Sequence, residues 1–166
     1  MRKILEFAGI LALGLLVYLT WAALSGPNRL PDRVPTHFDA AGNANAWGSP
    51  NGLIIMPAIA AGVYLLMTIV ARFPAAFNYP VRVTPINLPR LQSITLGMIA
   101  WIKVEMVCLF AVLQWVFVQS ARSGNGHLFP KVLPIFLVVI FGTIAVHFVA
   151  IFRAARPRVN GPGGPS

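Results

Sequence analysis

Residues 94–118 read ITLGMIAWIKVEMVCLFAVLQWVFV. A helix needs about 20 predominantly apolar residues to cross the ~30 Å hydrocarbon core of a bilayer, and this run is long enough even with Lys103 and Glu105 inside it. Three further stretches meet the same length, residues 4–24, 53–71 and 132–152. Across all 166 residues 57% are hydrophobic and 10% charged, whereas a soluble domain carries about a quarter of its residues charged. Large soluble catalytic folds are thereby excluded, and lipid becomes the solvent for most of the surface. The segments between the runs are too short, and too broken by proline and glycine, to enclose a second core. The expectation is an all-α membrane protein: one domain over residues 1–159 with four transmembrane helices, then a disordered Gly/Pro tail over 160–166. The start Met1-Arg-Lys and the small residues Ala22 to Gly26 imitate a secretory signal. The apolar run between them exceeds a signal core and reads as a retained span.

The chain has 13 Lys and Arg against 4 Asp and Glu. The bases are scattered singly between apolar runs, which describes topology rather than a nucleic-acid footprint. With four spans both termini share a side, carrying Arg2, Lys3, Arg72, Arg82, Arg90, Arg153, Arg156 and Arg158, against Arg29, Arg33, Arg122 and Lys131 opposite. The excess predicts both termini in the cytoplasm. The single cysteine, Cys108, allows no intramolecular disulfide and no cysteine-based metal site. No internal repeat is visible, so an inverted-repeat transporter within one chain is not expected, although a homo-oligomer remains open.

Lys103 and Glu105 sit in the third run, where a mid-bilayer charge costs ~3 kcal/mol on insertion scales. Two positions along a helix turn a side chain by about 200°, so the two cannot pair and each needs its own partner or must snorkel. Tyr18 falls at a similar depth and is a candidate partner for Glu105. Lys103 lies at mid-membrane if the helix crosses from Arg90, or among the headgroups if the first turns lie in the interface. His147, one turn after Thr143, would extend a polar track with Glu105 as a proton or ion path; the plainer reading is a histidine satisfied by a backbone carbonyl or a helix neighbour. Serines 93, 120 and 123 have no His and Asp at usable positions, and no phosphate-cradling glycine loop exists. An enzyme is not expected, nor a cofactor.

Residues 30–50 read LPDRVPTHFDAAGNANAWGSP. Pro31 and Pro35 fix extended backbone, Val34 and Phe38 favour strand, and Asp39 to Gly42 supply a turn. A short extracytoplasmic hairpin between the first two helices follows, with Phe38 and Trp47 on an apolar side at the outer headgroup layer. Ser49 and Pro50 suit the start of the second span. His37 with Asp32 and Asp39 could hold a cation, but zinc sites need three or four ligands; no metal is expected, and His37 is read as bonding the turn backbone. The loop 73–90, with four prolines, cannot be helical throughout. It is read as an extended connector on the inner leaflet, pinned by Phe77 and Tyr79, or as a surface for a partner or anionic lipid at Arg72, Arg82 and Arg90.

Pro31, Val34, Pro35, His37, Phe38, Gly42, Trp47 and Ser49 fall at fixed spacing within this loop. The segment resembles the motif of the poorly characterised domain of SdpI-type bacterial membrane proteins, roughly Pro-x-x-Ile/Val-Pro-x-His-Phe-Asn-x-x-Gly-x-x-Asp-x-Trp/Tyr-x-Ser-Lys. Asp39, Asn45 and Pro50 depart from it, standing where Asn, Asp and Lys are usual. The best-known relatives protect a toxin-producing cell from its own secreted peptide and signal by holding a repressor at the membrane; they are longer, and their C-terminal half has no counterpart here. The resemblance implies a non-enzymatic protein of the bacterial inner membrane that binds a peptide or protein partner at the loop, in an immunity, sensing or accessory role, with Pro35, His37, Phe38, Asp39, Gly42 and Trp47 as the partner-binding residues. The alternative is a small oligomeric transporter or proton-coupled translocase using Lys103, Glu105 and His147.

Overall fold

The computed structural model describes residues 1–39, 41–124, 126 and 129–156, without the side chains of 129 and 130. The tail expected over 160–166, and Arg158, lie outside the described residues. Helix α1 (Arg2–Ser25) leads to an antiparallel hairpin of β1 (Val34–Phe38) and β2 (Ala44–Gly48). A 3-10 turn (Pro50–Ile54) opens α2 (Ile55–Val70), and α3 (Leu88–Ser123) and α4 (Phe129–Ala155) complete the chain. Four helices are long and apolar enough to cross a membrane, the architecture of a multi-pass membrane protein with a short hairpin between the first two spans.

Helix α3 is the hub. A third of its most apolar stretch (33%) is buried within the chain, against 6% for α4. One side of α3 packs on α1 and α2, through Leu16, Ala60 and Ala111; another packs on α4, through Leu91, Ile151 and Ala154. Most of α4 and α2 therefore presents apolar side chains outward, as lipid-facing helices do.

At 36 residues and 1.5 Å per residue, α3 is about 54 Å long, well beyond the ~30 Å core. Its start was expected near residue 94; it begins six residues earlier because Pro89 occupies the first turn, where a missing N–H costs nothing. Thr84 and Asn87 fix that entry reciprocally: the Thr84 N–H donates to Asn87 Oδ1 and the Asn87 N–H to Thr84 Oγ1. The helix ends at Gly124, whose φ of 69° is the left-handed cap that glycine adopts without strain.

The overhanging first turns of α3 are covered by the preceding loop. Tyr79 and Val81 pack against the Leu91, Ile151 and Ala154 cluster, so half-buried Tyr79 is wedged against α3 and α4. At the opposite end, Val34 and Leu30 are buried with Ala23, Leu53 and Val118. This cluster seats the hairpin on the ends of α1, α2 and α3.

Candidate functional site

The chain holds three polar groupings, and α3 separates two of them. Lys103 and Glu105 are both buried, at 2% and 8% exposure, and as the 200° argument requires they point to different neighbours. Lys103 Nζ donates to Glu6 Oε1 at 2.6 Å, to Glu6 Oε2 at 2.7 Å and to Thr68 Oγ1 at 3.1 Å. Tyr64 donates its hydroxyl to Glu6 Oε2 at 2.7 Å, and the ammonium lies 4.6 Å from the Tyr64 ring centroid. All three ammonium protons are thus used, as a desolvated cation demands. Tyr64 fits because α1 carries Gly9 beneath it: a Cβ there would lie 2.7 Å from Tyr64 Cε2.

Glu6 stands four residues from the start of α1 and Thr68 two residues before the end of α2. The ion pair therefore lies about one to two turns inside one end of the bundle. A cavity of about 260 Å³ opens beside it, lined among others by Arg2, Lys3 and Arg72. Glu6 was not singled out from the sequence. A carboxylate inside the first apolar run was the available signal, but its partner lies 97 positions away, beyond any spacing rule.

Glu105 faces α4 instead. Thr143 donates its hydroxyl to Glu105 Oε1, and His147 Nδ1 lies 2.8 Å from the Thr143 carbonyl. A carbonyl only accepts, so Nδ1 carries a proton and donates in this contact. His147 is thus satisfied by a backbone carbonyl of its own helix, the plainer of the two readings, and among the described residues only the Thr143 hydroxyl reaches Glu105. Tyr18 is no partner of Glu105: its side chain is 59% exposed and its ring lies beside Trp21, because a shared depth does not place two side chains on facing sides of their helices. A further buried pair was also missed in the sequence: Gln114, fully buried, donates to Thr20 Oγ1 at 2.8 Å.

The third grouping is the hairpin. Pro35 pairs with Trp47, His37 with Ala46 and Phe38 with Ala44, with irregular register on both sides of His37. Gly42 has φ 84°, the turn position that needs glycine. Asp39 organises the turn: Oδ1 accepts from the N–H groups of Ala41 at 2.9 Å and Asn43 at 2.8 Å, and Oδ2 from the Asn43 side chain at 3.3 Å. An asparagine, usual in the resembled motif, offers one such acceptor oxygen; the carboxylate offers two.

His37 does not bond the turn backbone as expected. Its Nδ1 meets Asn45 Oδ1 across the hairpin. Among the described residues no group of three His, Cys, Asp or Glu side chains is placed to hold a metal ion. Phe38 and Trp47 part company: Phe38 lies over Gly126 in the connection between α3 and α4, whereas Trp47 is 52% exposed. The Gly126 N–H donates to the Gly42 carbonyl at 2.9 Å, so the turn is fastened to the helical bundle at its tip as well as at its base.

The Asn43 N–H, first among several donors, holds the Asp39 carboxyl below its ordinary 3.8. A carboxylate with a depressed pKa stabilises the ordered turn fully above its ordinary value, and that contribution is lost as pH falls through the lowered value. Amide exchange at Ala41 and Asn43 should therefore be pH-insensitive in its protection down to about pH 4 and lose protection below it. Asp39→Ala should remove the protection at neutral pH, whereas Asp39→Asn should keep much of it.

The family model described as a domain of unknown function, DUF1648, matches residues 10–61, which run from the second turn pair of α1 through the whole hairpin into α2. An uncharacterized protein of Archaeoglobus fulgidus is 38% identical over 61 residues, covering 32% of this chain and 33% of its own length. The match thus spans about a third of that relative. No solved structure matches the chain. The similarity to the uncharacterised domain falls on the segment that builds the hairpin and the helix ends beneath it.

Proposed function

We propose that this chain is a non-enzymatic protein of the bacterial inner membrane, of the SdpI-like type, with both termini in the cytoplasm, and that it binds a peptide or protein partner through its extracytoplasmic hairpin. The orientation rests on the eight-to-four distribution of Lys and Arg between the two ends of the spans. One observation carries the binding role: a hairpin fastened at base and tip nonetheless leaves the large ring of Trp47 half-exposed beside exposed His37. A fixed aromatic with polar neighbours is the usual anchor of a binding surface, since little entropy is lost when it is covered. Immunity, sensing or an accessory role would each use such a surface.

The test is purification in mild detergent from native membranes. The wild-type chain should retain a stoichiometric protein or peptide, and Trp47→Ala with His37→Ala should lose it while still inserting as a monodisperse protein. Full retention by the double variant removes the hairpin from the binding role.

A second reading, a small oligomeric transporter or proton-coupled translocase using Lys103, Glu105 and His147, has one observation in its favour. Glu105 Oε2 is buried without a hydrogen-bond partner among the described residues, an acceptor left for a proton or a cation. Against it stands Lys103, which is saturated by Glu6 and Thr68 on the other side of α3, so the three residues do not line one path.

A further inference from the structure

The chain has four side-chain carboxylates, Glu6, Asp32, Asp39 and Glu105. Asp32 and Asp39 belong to the hairpin end, Glu6 is held by Lys103 and Tyr64, and Glu105 by Thr143. Among the described residues, Arg90 and Arg153, at the opposite end from the hairpin, therefore have no side-chain carboxylate left to neutralise them. Both line the same crevice of about 640 Å³ between α3 and α4, within the size range of small-molecule sites.

The crevice is amphipathic along its length, and the cause lies in the sequence. Helices α3 and α4 run antiparallel, and each places an apolar residue one turn deeper than its arginine: Ile94 after Arg90, and Val149 before Arg153. Val146 continues the apolar wall one turn further. Two guanidiniums at the mouth of an apolar slot complement a molecule with an anionic head and a hydrocarbon tail.

The geometry points to a binding site for an anionic phospholipid, its phosphate between Arg90 and Arg153 and an acyl chain along Ile94, Val149 and Val146. Arginine suits the role because its planar fork meets phosphate oxygens in pairs, and juxtamembrane bases gain further from the negative charge of the lipid surface. The site lies away from the hairpin and stands independently of the partner-binding role.

The experiment is native mass spectrometry of the full chain in detergent, offered phosphatidylglycerol and phosphatidylcholine of identical acyl chains. The wild-type protein should retain the anionic lipid with a preference on the order of tenfold. Arg90→Gln with Arg153→Gln should abolish the preference, whereas Arg72→Gln, which removes a base from the separate α1–α2–α3 cavity, should leave it intact. Val149→Trp keeps both arginines and fills the acyl seat at a position already 48% exposed; it too should lose the lipid, and it decides the matter if the double variant fails to fold. Retention by both the double variant and Val149→Trp overturns the site. An equal loss on Arg72→Gln would mean diffuse charge attraction, and displacement by inorganic phosphate would mean a free-anion site; either result also overturns it.

Discussion

Glu6→Leu should be the most damaging single change in the membrane-spanning region, costing about 3 kcal/mol, because it leaves a buried ammonium without its counter-charge. Lys103 is only 2% exposed, and two of its three hydrogen bonds go to Glu6. The reverse change is not equivalent. The Glu6 side chain is 37% exposed and keeps its bond from Tyr64, so Lys103→Met should cost roughly 1–2 kcal/mol. Replacing both residues removes the charges together and should recover most of the loss, since a buried ion pair contributes little net stability against an apolar pair of similar size. Unfolding in mixed detergent micelles measures all three. Equal costs for the two single variants, or a double variant that loses their sum, would show that the pair is not the coupled unit described here, with a buried Lys103 and a partly exposed Glu6.

Gly126→Ala should release the hairpin from the bundle. The added Cβ would lie 2.5 Å from two ring carbons of Phe38 and 2.9 Å from the Phe38 Cβ. The ring could swing away, but the Phe38 Cβ is fixed by its strand, so backbone must move at a cost of about 1–3 kcal/mol. Movement also strains the Gly126 N–H to Gly42 carbonyl bond, which ties the turn to the connection from α3 to α4. The expected result is faster amide exchange over residues 41–48 and quicker proteolytic nicking of the turn, with the helices unchanged. Hairpin protection equal to wild type would contradict this fastening.

What the sequence revealed follows from the range of the interactions that decide each feature. The hairpin was legible because its determinants are local: Gly42 at a positive φ, the Asp39 carboxylate accepting from the Ala41 and Asn43 N–H groups, Ser49 accepting from Asn51. The four spans were legible because bilayer thickness converts directly into run length. The extent of α3 was not, since Pro89 looks like a break until Thr84 and Asn87 are seen to fix the turn that leads into the helix just before it. The partners of the buried charges were the hardest to see. Glu105 was matched to Tyr18 by depth alone, whereas rotation about α3 directs it to Thr143 on α4. His37 was expected on the turn backbone, but the register shifts on either side of it carry its ring to Asn45. The Glu6 to Lys103 pair depends on α1 and α3 lying side by side in parallel, a property of the assembled bundle that no stretch of sequence encodes by itself.

The hairpin as a partner-binding platform is tested most directly by site-specific photo-crosslinking in native membranes. A photoreactive residue at exposed Ala46, beside Trp47 on β2, is compared with one at exposed Val83 in the loop at the other end of the bundle. A discrete adduct from position 46, absent from position 83 and lost on Trp47→Ala, is the predicted result. No adduct at position 46, or one indifferent to Trp47, would contradict the account and turn attention to Glu105 and Thr143 between α3 and α4.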